Sequence, residues 1–226
     1  MRIGLLGGTF DPVHCGHLDV AHAARLALSL DVVWLVPARI PPHRTRPYAS
    51  PAHRFAMVAE AVADQEGLLA SDVEMQTEGP SYTFATLDRL AAQGVSGESL
   101  FLILGADAFS DLPTWKAYPE ILDRCHFVVL SRPGIPARAV RAAVPALADR
   151  MRDTPCEVPR APSIFLVDAP TTAVSSTGVR EAVIAGDGLE GLVPAPVARH
   201  IGKYGLYGRS SSEVSTSNQA TTRSVG

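Results

Sequence analysis

The feature that most limits the fold of this chain is the alternation of short aliphatic runs with segments of helical length. Runs rich in Val, Ile, Leu and Phe predict strands over residues 2–6, 32–36, 100–104, 127–130 and 164–167. A further strand is predicted near residues 72–75. Strands separated by helices favour right-handed crossovers, so we predict an α/β fold with a doubly wound parallel sheet.

Start and stop signals delimit the helices between these strands. Ser50, followed by a proline, provides an N-cap and Gly67 a stop, so a helix is predicted over residues 52–66. Residues 137–152 are predicted to be helical but broken or kinked at Pro145, because proline cannot donate the helical hydrogen bond. The other helices are predicted over residues 18–30, 84–93, 177–184 and 197–203.

Composition and charge exclude several classes of protein. The 226 residues are 46% hydrophobic and 19% charged, which suits one compact domain. A net charge of -3 provides no broad basic field, so nucleic acid is not an expected partner. The apolar runs fall far short of the roughly 20 residues that cross a bilayer, so we expect no membrane partner and a cytoplasmic location. The sequence is compatible with a homo-oligomer but does not specify one.

The end of the chain differs in composition from the rest. Residues 1–208 carry the alternating pattern and are predicted to form one domain, whereas residues 209–226 are mostly small and polar and are expected to be a disordered tail. Cys15, Cys125 and Cys156 are odd in number and scattered, which favours reduced thiols over a disulfide framework.

A glycine- and histidine-rich segment, GGTFDPVHCGH at residues 7–17, follows the first predicted strand. Ligands bind beyond the carboxyl ends of parallel strands, and paired glycines before a helix suit a phosphate group. His14 and His17 can face the same anion from a helix start and oppose charge on a transferring phosphoryl group. Two alternatives are polar residues with surface hydrogen bonds, and a metal site with Cys15, which is disfavoured because no further ligand cluster follows.

A second polar motif, VSSTGVR at residues 174–180, follows the last predicted strand. At a helix start, Ser175, Ser176 and Thr177 would direct hydroxyl and backbone N–H groups at phosphate oxygens. Arg180, one turn later, can reach the same place with a bidentate fork. The alternative is a capped helix whose arginine points outward.

Together the two motifs resemble the nucleotidyltransferase superfamily, whose signatures are H-x-G-H and [IV]-S-S-T-x-x-R. Within it, the sequence is similar to the bacterial nicotinate mononucleotide adenylyltransferase family from residue 1 to about residue 207. The matching segments are GGTFDPVH, PPH, GPSYT, LILGADAF, Trp115, SRPG, VSSTGVR and KYGLY. The resemblance implies a Rossmann-like nucleotidyltransferase fold, and an enzyme that joins AMP from ATP to nicotinate mononucleotide to give deamido-NAD and pyrophosphate. Mg²⁺ is expected to be carried by the ATP phosphates and not by a protein metal site.

The resemblance also implies roles for individual residues. His14, His17 and Arg180 are implied to be catalytic. The implied ATP-binding residues are Gly7, Gly8, Thr9, Phe10, Gly105, Asp107, Ser175, Ser176 and Thr177. The implied nicotinate mononucleotide site consists of Thr83, Trp115, Lys116 and Arg132.

Several of these residues have a second interpretation. Asp107 would accept hydrogen bonds from the adenosine ribose, yet it also suits an N-cap. Trp115 would stack on the pyridine ring, although a tryptophan considered alone is more often part of the core. Arg132 suits a structural ion pair as well as a substrate phosphate. Arg44 stands where the family often has lysine, and Arg54 is expected to be structural.

Direct transfer is predicted, because no Ser, Cys or Lys is paired with an evident activating base. The substrate phosphate would attack the α-phosphorus of ATP in line. Two other functions stay open at this point. A sister adenylyltransferase acting on phosphopantetheine is disfavoured by GPSYT and Trp115, and a catalytically silent nucleotide-binding regulator is disfavoured by the two intact motifs.

Overall fold

The structure is a computed structural model that describes residues 1–42, 46–132, 134–154 and 157–208. These residues form seven strands: β1 (Ile3–Gly8), β2 (Val32–Pro37), β3 (Leu68–Ala70), β4 (Leu100–Gly105), β5 (His126–Leu130), β6 (Met151–Asp153) and β7 (Ile164–Val167). All pairings are parallel, and the strand order is β3-β2-β1-β4-β5-β7-β6. The predicted α/β fold with a doubly wound parallel sheet is confirmed.

The helices lie between the strands in sequence. They are α1 (Cys15–Ala27), α2 (Pro51–Val62), α3 (Thr83–Ala92), α4 (Ala106–Ser110), α5 (Val140–Ala143), α6 (Ser176–Ala185) and α7 (Ala195–Tyr204). Short 3₁₀ helices at Gly97–Ser99, Leu112–Thr114, Glu120–Asp123, Ala137–Ala139 and Pro145–Arg150 complete the connections. Within the described part of the chain, no helix is long and apolar enough to span a membrane.

Both faces of the sheet are buried, which explains why the central strands are continuous apolar runs. Along β4, Leu100, Leu102 and Leu104 contribute to one hydrophobic core. The alternate residues Phe101 and Ile103 contribute to the other. α1, α2, α6 and α7 supply residues to the second core, and α3, α4 and α5 to the first. The sheet is therefore the middle layer of three.

The strand order reverses its direction between β1 and β4. The chain builds outward from β1 through β2 to β3, and then returns to place β4 on the other side of β1. The crevice outside the carboxyl ends of these two strands is the place where doubly wound sheets bind ligands. The segments that leave β1 at Gly8 and β4 at Gly105 both open into it.

Two edge strands differ from the sequence prediction. The third strand is Leu68–Ala70, and the strand predicted near residues 72–75 is wrong, since these residues form a turn. A buried hydrogen bond connects this turn to α3, since the Thr86 hydroxyl donates to the Glu74 carboxylate at 2.6 Å. The predicted break at Pro145 is confirmed, but the last residues of the helical prediction over 137–152 are wrong, since β6 begins at Met151.

The helix starts matter most for the site. α1 begins at Cys15, three residues before the predicted start at residue 18, so that His14 is its N-cap residue. Ser50 is confirmed as the N-cap of α2, its Oγ accepting from the His53 N–H at 3.3 Å, although α2 ends at Val62 and not at residue 66. The predicted disordered tail over 209–226, Arg44 and Cys156 lie outside the described residues.

Arg54 is a buried charge that connects three loops at the carboxyl edge of the sheet. Its side chain is 0% exposed. The guanidinium donates to the backbone carbonyls of Thr9 at 2.7 Å, Ala38 at 2.6 Å, Arg39 at 3.0 Å and Ala49 at 3.3 Å. Burial lowers the pKa of Arg54, and the nearby Asp11 carboxylate opposes that shift. The structural role expected for Arg54 is confirmed.

Replacing Arg54 by Met is expected to lower the free energy of unfolding by about 3 kcal/mol or more. The variant leaves four buried or partly buried backbone carbonyls without this donor and the Asp11 carboxylate without the nearby cation. Urea unfolding followed by circular dichroism measures the change. Arg199→Met, at an exposed position of α7, is the matched control and should shift stability by less than about 0.5 kcal/mol. Equal stability of the two variants would contradict the role assigned to Arg54.

Candidate active site

The loop that follows β1 forms the floor of the crevice. Phe10 is buried and has a backbone φ of 49°, in the left-handed region. A Cβ on Gly8 would come within 3.0 Å of the Phe10 ring, so glycine is needed there for packing. A Cβ on Gly7 would meet nothing within 4 Å, because Gly7 faces open space.

The two histidines of the first motif lie together, as the spacing predicts. Their rings are stacked, with centroids 3.6 Å apart and an interplanar angle of 25°. The backbone N–H of His14 donates to His17 Nδ1 at 3.2 Å, which orients the second ring. Gly16 between them is required by space, because a Cβ there would lie 2.8 Å from the carbonyl oxygen of Thr172.

His14 is electrically unusual among the residues of the site. It is 5% exposed, and its Nδ1 has no hydrogen-bond partner among the described residues. Burial, assisted by the charge of Arg132 and opposed by that of Asp19, lowers its pKa to about 4. The ring is therefore neutral near pH 7, and one of its nitrogens carries a hydrogen while the other can accept.

The second motif is tied to the first by hydrogen bonds. The Ser176 hydroxyl donates to the Pro12 carbonyl at 2.8 Å, and the Arg180 guanidinium donates to the Asp11 carbonyl at 2.7 Å and to the Thr177 hydroxyl at 3.0 Å. Ser175 caps α6 by accepting from the Gly178 N–H at 3.0 Å. The helix is capped, as the alternative interpretation expected, but Arg180 points into the site and not outward.

The two motifs enclose a cavity of about 330 Å³, which we call the phosphate cavity. Three arginines and both motif histidines line it, which gives it a strong excess of hydrogen-bond donors. The lining residues are Thr9, Asp11, His14, His17, Arg46, Pro47, Tyr48, Asp107, Arg132, Val174, Ser175, Ser176, Thr177 and Arg180.

Two further cavities open beside it, and Thr9 lines all three. One, of about 450 Å³, contains Gly7, Phe10, Gly105, Arg132, Ser175 and both motif histidines in its wall. The other, of about 440 Å³, contains Thr83, Trp115, Lys116 and Asp107. Of the residues named from the sequence, Gly8 lines none of the three cavities.

Asp107 and Arg132 form an ion pair, with Arg132 Nε 3.1 Å from Asp107 Oδ1. The pair is exposed, so it contributes little to stability. A Cβ on Gly105 would come within 2.6 Å of Asp107 Oδ1 and 2.7 Å of Arg132 Nε, so a larger residue there would shift the two side chains from this arrangement. The N-cap interpretation of Asp107 is wrong, because Gly105 holds that position and Asp107 lies in the first turn of α4.

The residues that line the 440 Å³ cavity include one that also packs against the core. Trp115 is partly exposed and also packs against the hydrophobic core that contains Leu102 and Phe109. Thr83 is the first residue of α3, whose initial N–H groups have no partner within the helix. The Lys116 ammonium lies 4.5 Å from the centroid of the Tyr82 ring.

The sequence did not predict the contacts of the Asp11 carboxylate, which lies at the centre of the site. Asp11 is 5% exposed, and accepts from the Tyr48 N–H at 2.7 Å, the Ala49 N–H at 3.0 Å and the Tyr207 hydroxyl at 2.9 Å. The available signals were the position of Asp11 inside the first motif and the tyrosine that ends KYGLY. Arg46, which lines the phosphate cavity, also carried no signal.

Among the described residues, no cluster of side chains is suited to hold a divalent metal. In the described ranges, no three His, Cys, Asp or Glu side chains come together. Cys15 and Cys125 are free thiols. The side chains around the phosphate cavity are chiefly donors, which suit phosphate oxygens better than a hard cation.

Comparison with known proteins agrees with the geometry. Residues 5–182 match the model of the cytidylyltransferase-like family. A probable nicotinate-nucleotide adenylyltransferase of Halorhodospira halophila is 40% identical over 208 residues, covering 91% of this chain and 95% of the relative. Its counterpart in Pseudomonas fluorescens is 42% identical, covering 91% of this chain and 97% of the relative.

A solved structure supports the fold. Nicotinic acid mononucleotide adenylyltransferase of Plasmodium falciparum, complexed with NaAD, superposes with a TM-score of 0.69 at 18% identity, covering 91% of this chain and 97% of that chain. At that identity the likeness speaks for the fold alone. The family match and the sequence relatives together confirm the resemblance, and the chain belongs to the nicotinate-nucleotide adenylyltransferases of the cytidylyltransferase-like family.

Proposed function

We infer that the chain is an enzyme that transfers AMP from ATP to nicotinate mononucleotide, giving deamido-NAD and pyrophosphate. The observation that carries this inference is the phosphate cavity, in which the stacked histidines of one motif face Arg180 and the hydroxyls of the other. A cavity with so many donors complements a polyphosphate.

The two neighbouring cavities divide the remaining parts of the substrates. Adenosine would occupy the 450 Å³ cavity, where Gly7 leaves the end of β1 open to a ring and a ribose. Asp107, which lines the neighbouring phosphate cavity, would accept from ribose hydroxyls while Arg132 holds it in place. Arg132 also faces the histidines, so its charge serves the phosphates as well.

Nicotinate mononucleotide would occupy the 440 Å³ cavity. The Trp115 face would stack on the pyridine ring, and the N-terminus of the ten-residue helix α3 at Thr83 offers N–H groups and a positive dipole end to the carboxylate. Asp107 and Asp111 also line this cavity. Asp107 is neutralised by Arg132, and the Lys116 ammonium supplies positive charge on the same wall.

The mechanism is a direct in-line displacement. A phosphate oxygen of the mononucleotide forms a bond to the α-phosphorus of ATP, and the bond from that phosphorus to the bridging oxygen breaks, so that pyrophosphate leaves with the electron pair. His14, His17, Arg180 and the N-terminus of α6 oppose the negative charge that develops. Mg²⁺ bound to the ATP phosphates would neutralise part of that charge. No covalent adenylyl-enzyme is required.

We also propose that the enzyme acts in the cytosol. The free thiols of Cys15 and Cys125 suit a reducing compartment.

Pyrophosphate release measured with purified protein and ATP tests the function. Nicotinate mononucleotide as acceptor should give turnover, whereas phosphopantetheine should not. Pyrophosphate release only with phosphopantetheine, or no release with either acceptor, would reject the proposal.

Replacing His17 by Ala is expected to lower kcat by roughly a hundredfold or more, because one preorganised donor to the transferring phosphoryl group is lost. Steady-state pyrophosphate release gives kcat, and thermal melting shows that the fold is kept. His22→Ala is the matched control on the same helix. His22 does not line the phosphate cavity, and its ring lies 2.9 Å from the Gln65 side-chain oxygen in a hydrogen bond. Near-normal turnover of the His17 variant would disprove its catalytic role.

The protonation of His14 should respond to an anion in the phosphate cavity. In the free protein its pKa is about 4, so between pH 6.5 and 4 the unfolded chain binds more protons and stability falls as pH falls. Pyrophosphate should raise the pKa, because a nearby anion favours the imidazolium. NMR titration of the ring proton measures it, with chloride at equal ionic strength as control.

The variant Arg132→Ala should also raise the pKa of His14, because the charge of Arg132 lowers it. If neither pyrophosphate nor this substitution changed the pKa of His14, the result would contradict the placement of the ring beside the phosphates.

The proposed pyridine pocket predicts a preference for the acid over the amide nucleotide. Nicotinamide mononucleotide would turn an NH₂ group toward the donors near Thr83 and Lys116, and a buried mispaired group costs roughly 1–3 kcal/mol. The ratio of kcat/KM should therefore be at least about tenfold. Trp115→Ala should weaken both acceptors, since stacking does not distinguish them, and Trp115→Phe should weaken both less. Equal kcat/KM values would refute this pocket but not the adenylyl transfer.

A further inference from the structure

Tyr207 lies close to the site although it comes from the opposite end of the described chain. Its hydroxyl donates to Asp11 Oδ1 at 2.9 Å, across a sequence separation of 196 residues. The backbone φ of Tyr207 is 64°, a left-handed conformation that is costly for a residue with a side chain. Such a conformation persists where the surrounding contacts require it, and the contacts here include the bond to Asp11 and packing against the hydrophobic core.

Asp11 is linked to Arg180 in two ways, one direct and one through Tyr48. Its own carbonyl accepts from the Arg180 guanidinium at 2.7 Å. Its carboxylate accepts from the Tyr48 N–H at 2.7 Å, and the Tyr48 ring lies 4.7 Å from the Arg180 guanidinium carbon. Arg180 is thus held by the Asp11 backbone carbonyl and by an aromatic ring that Asp11 anchors, in addition to the Thr177 hydroxyl.

We propose that Tyr207 is a positioning residue for adenylyl transfer, whose hydroxyl fixes Asp11 and thereby two of the three groups that contact Arg180. The inference rests on the proposed function of the phosphate cavity. Asp11, Tyr48 and Arg180 are among the described residues that line this cavity, whereas Tyr207 is not, so it acts through them.

The hydroxyl is suited to remain a donor. Burial and the Asp11 carboxylate raise the pKa of Tyr207, so the proton stays on its oxygen at any pH at which the enzyme is assayed. Without this hydroxyl, the buried Asp11 carboxylate would keep only its two backbone donors.

Tyr207→Phe removes the hydroxyl and keeps the ring. We expect kcat to fall about fivefold, the scale of one hydrogen bond, with KM for nicotinate mononucleotide unchanged because the 440 Å³ cavity is not touched. Tyr204→Phe is the matched control, on α7 three residues earlier. Its ring packs on His53 and His200, and phenylalanine keeps that packing.

The decisive comparison repeats the substitution in an Arg180→Ala background. If Tyr207 acts by orienting Arg180, the second substitution should change kcat by less than about twofold there. An equal loss in both backgrounds would show a general structural role and overturn the proposal. An unchanged kcat in the otherwise wild-type enzyme would overturn it as well.

Calorimetric binding of pyrophosphate supplies the same comparison without turnover. Tyr207→Phe should weaken pyrophosphate binding severalfold in the wild-type background. In the Arg180→Ala background, the same substitution should leave pyrophosphate binding unchanged. Equal weakening in both backgrounds, or none in either, would contradict the inference. A wild-type enzyme without pyrophosphate release would reject the proposed function, while the binding comparison would still decide the role of Tyr207.

Discussion

The site depends on two opposite charges buried at the carboxyl edge of the sheet. Arg54 donates hydrogen bonds to backbone carbonyls of the surrounding loops, and Asp11 accepts hydrogen bonds from backbone N–H groups. Ala49 contacts both, giving its carbonyl to Arg54 and its N–H to Asp11. Buried charges are tolerated when their hydrogen bonds are complete. The loops that carry ligand-facing groups are therefore ordered by charge as well as by the apolar packing of Phe10, Val13 and Ala49.

The central layer of the fold could be predicted because burial on both faces makes a strand apolar throughout. β1, β2, β4, β5 and β7 carry that signal. β3 and β6 are three-residue strands at the two edges, and their short sequences LLA and MRD have no pattern distinct from a turn or a helix end. These two strands form because each pairs with a neighbouring strand, and a local sequence pattern holds no information about that pairing.

The two motifs could be placed together from sequence, since each follows a strand of one parallel sheet. The partners of Asp11 could not, because they lie 37, 38 and 196 residues away and no period connects them. The burial of His14 was equally hidden, since it follows from α1 starting at Cys15 and from the packing of Thr172 against Gly16. Arg132 illustrates a third case, in which sequence offered two interpretations and the ion pair with Asp107 is compatible with both.

The hydrogen bond from Tyr207 to Asp11 has a consequence for the order in which the molecule is made. Synthesis proceeds from the N-terminus, so Asp11 and the strand before it are available long before their last partner. A ribosome-bound chain that stops short of Tyr207 can assemble much of the sheet while the Asp11 carboxylate still lacks one donor. Contacts of such high sequence separation form late because loop closure must come first. The nucleotide site is thus completed only after Tyr207 has been synthesised, which keeps shorter partial chains from presenting a finished phosphate-binding cradle.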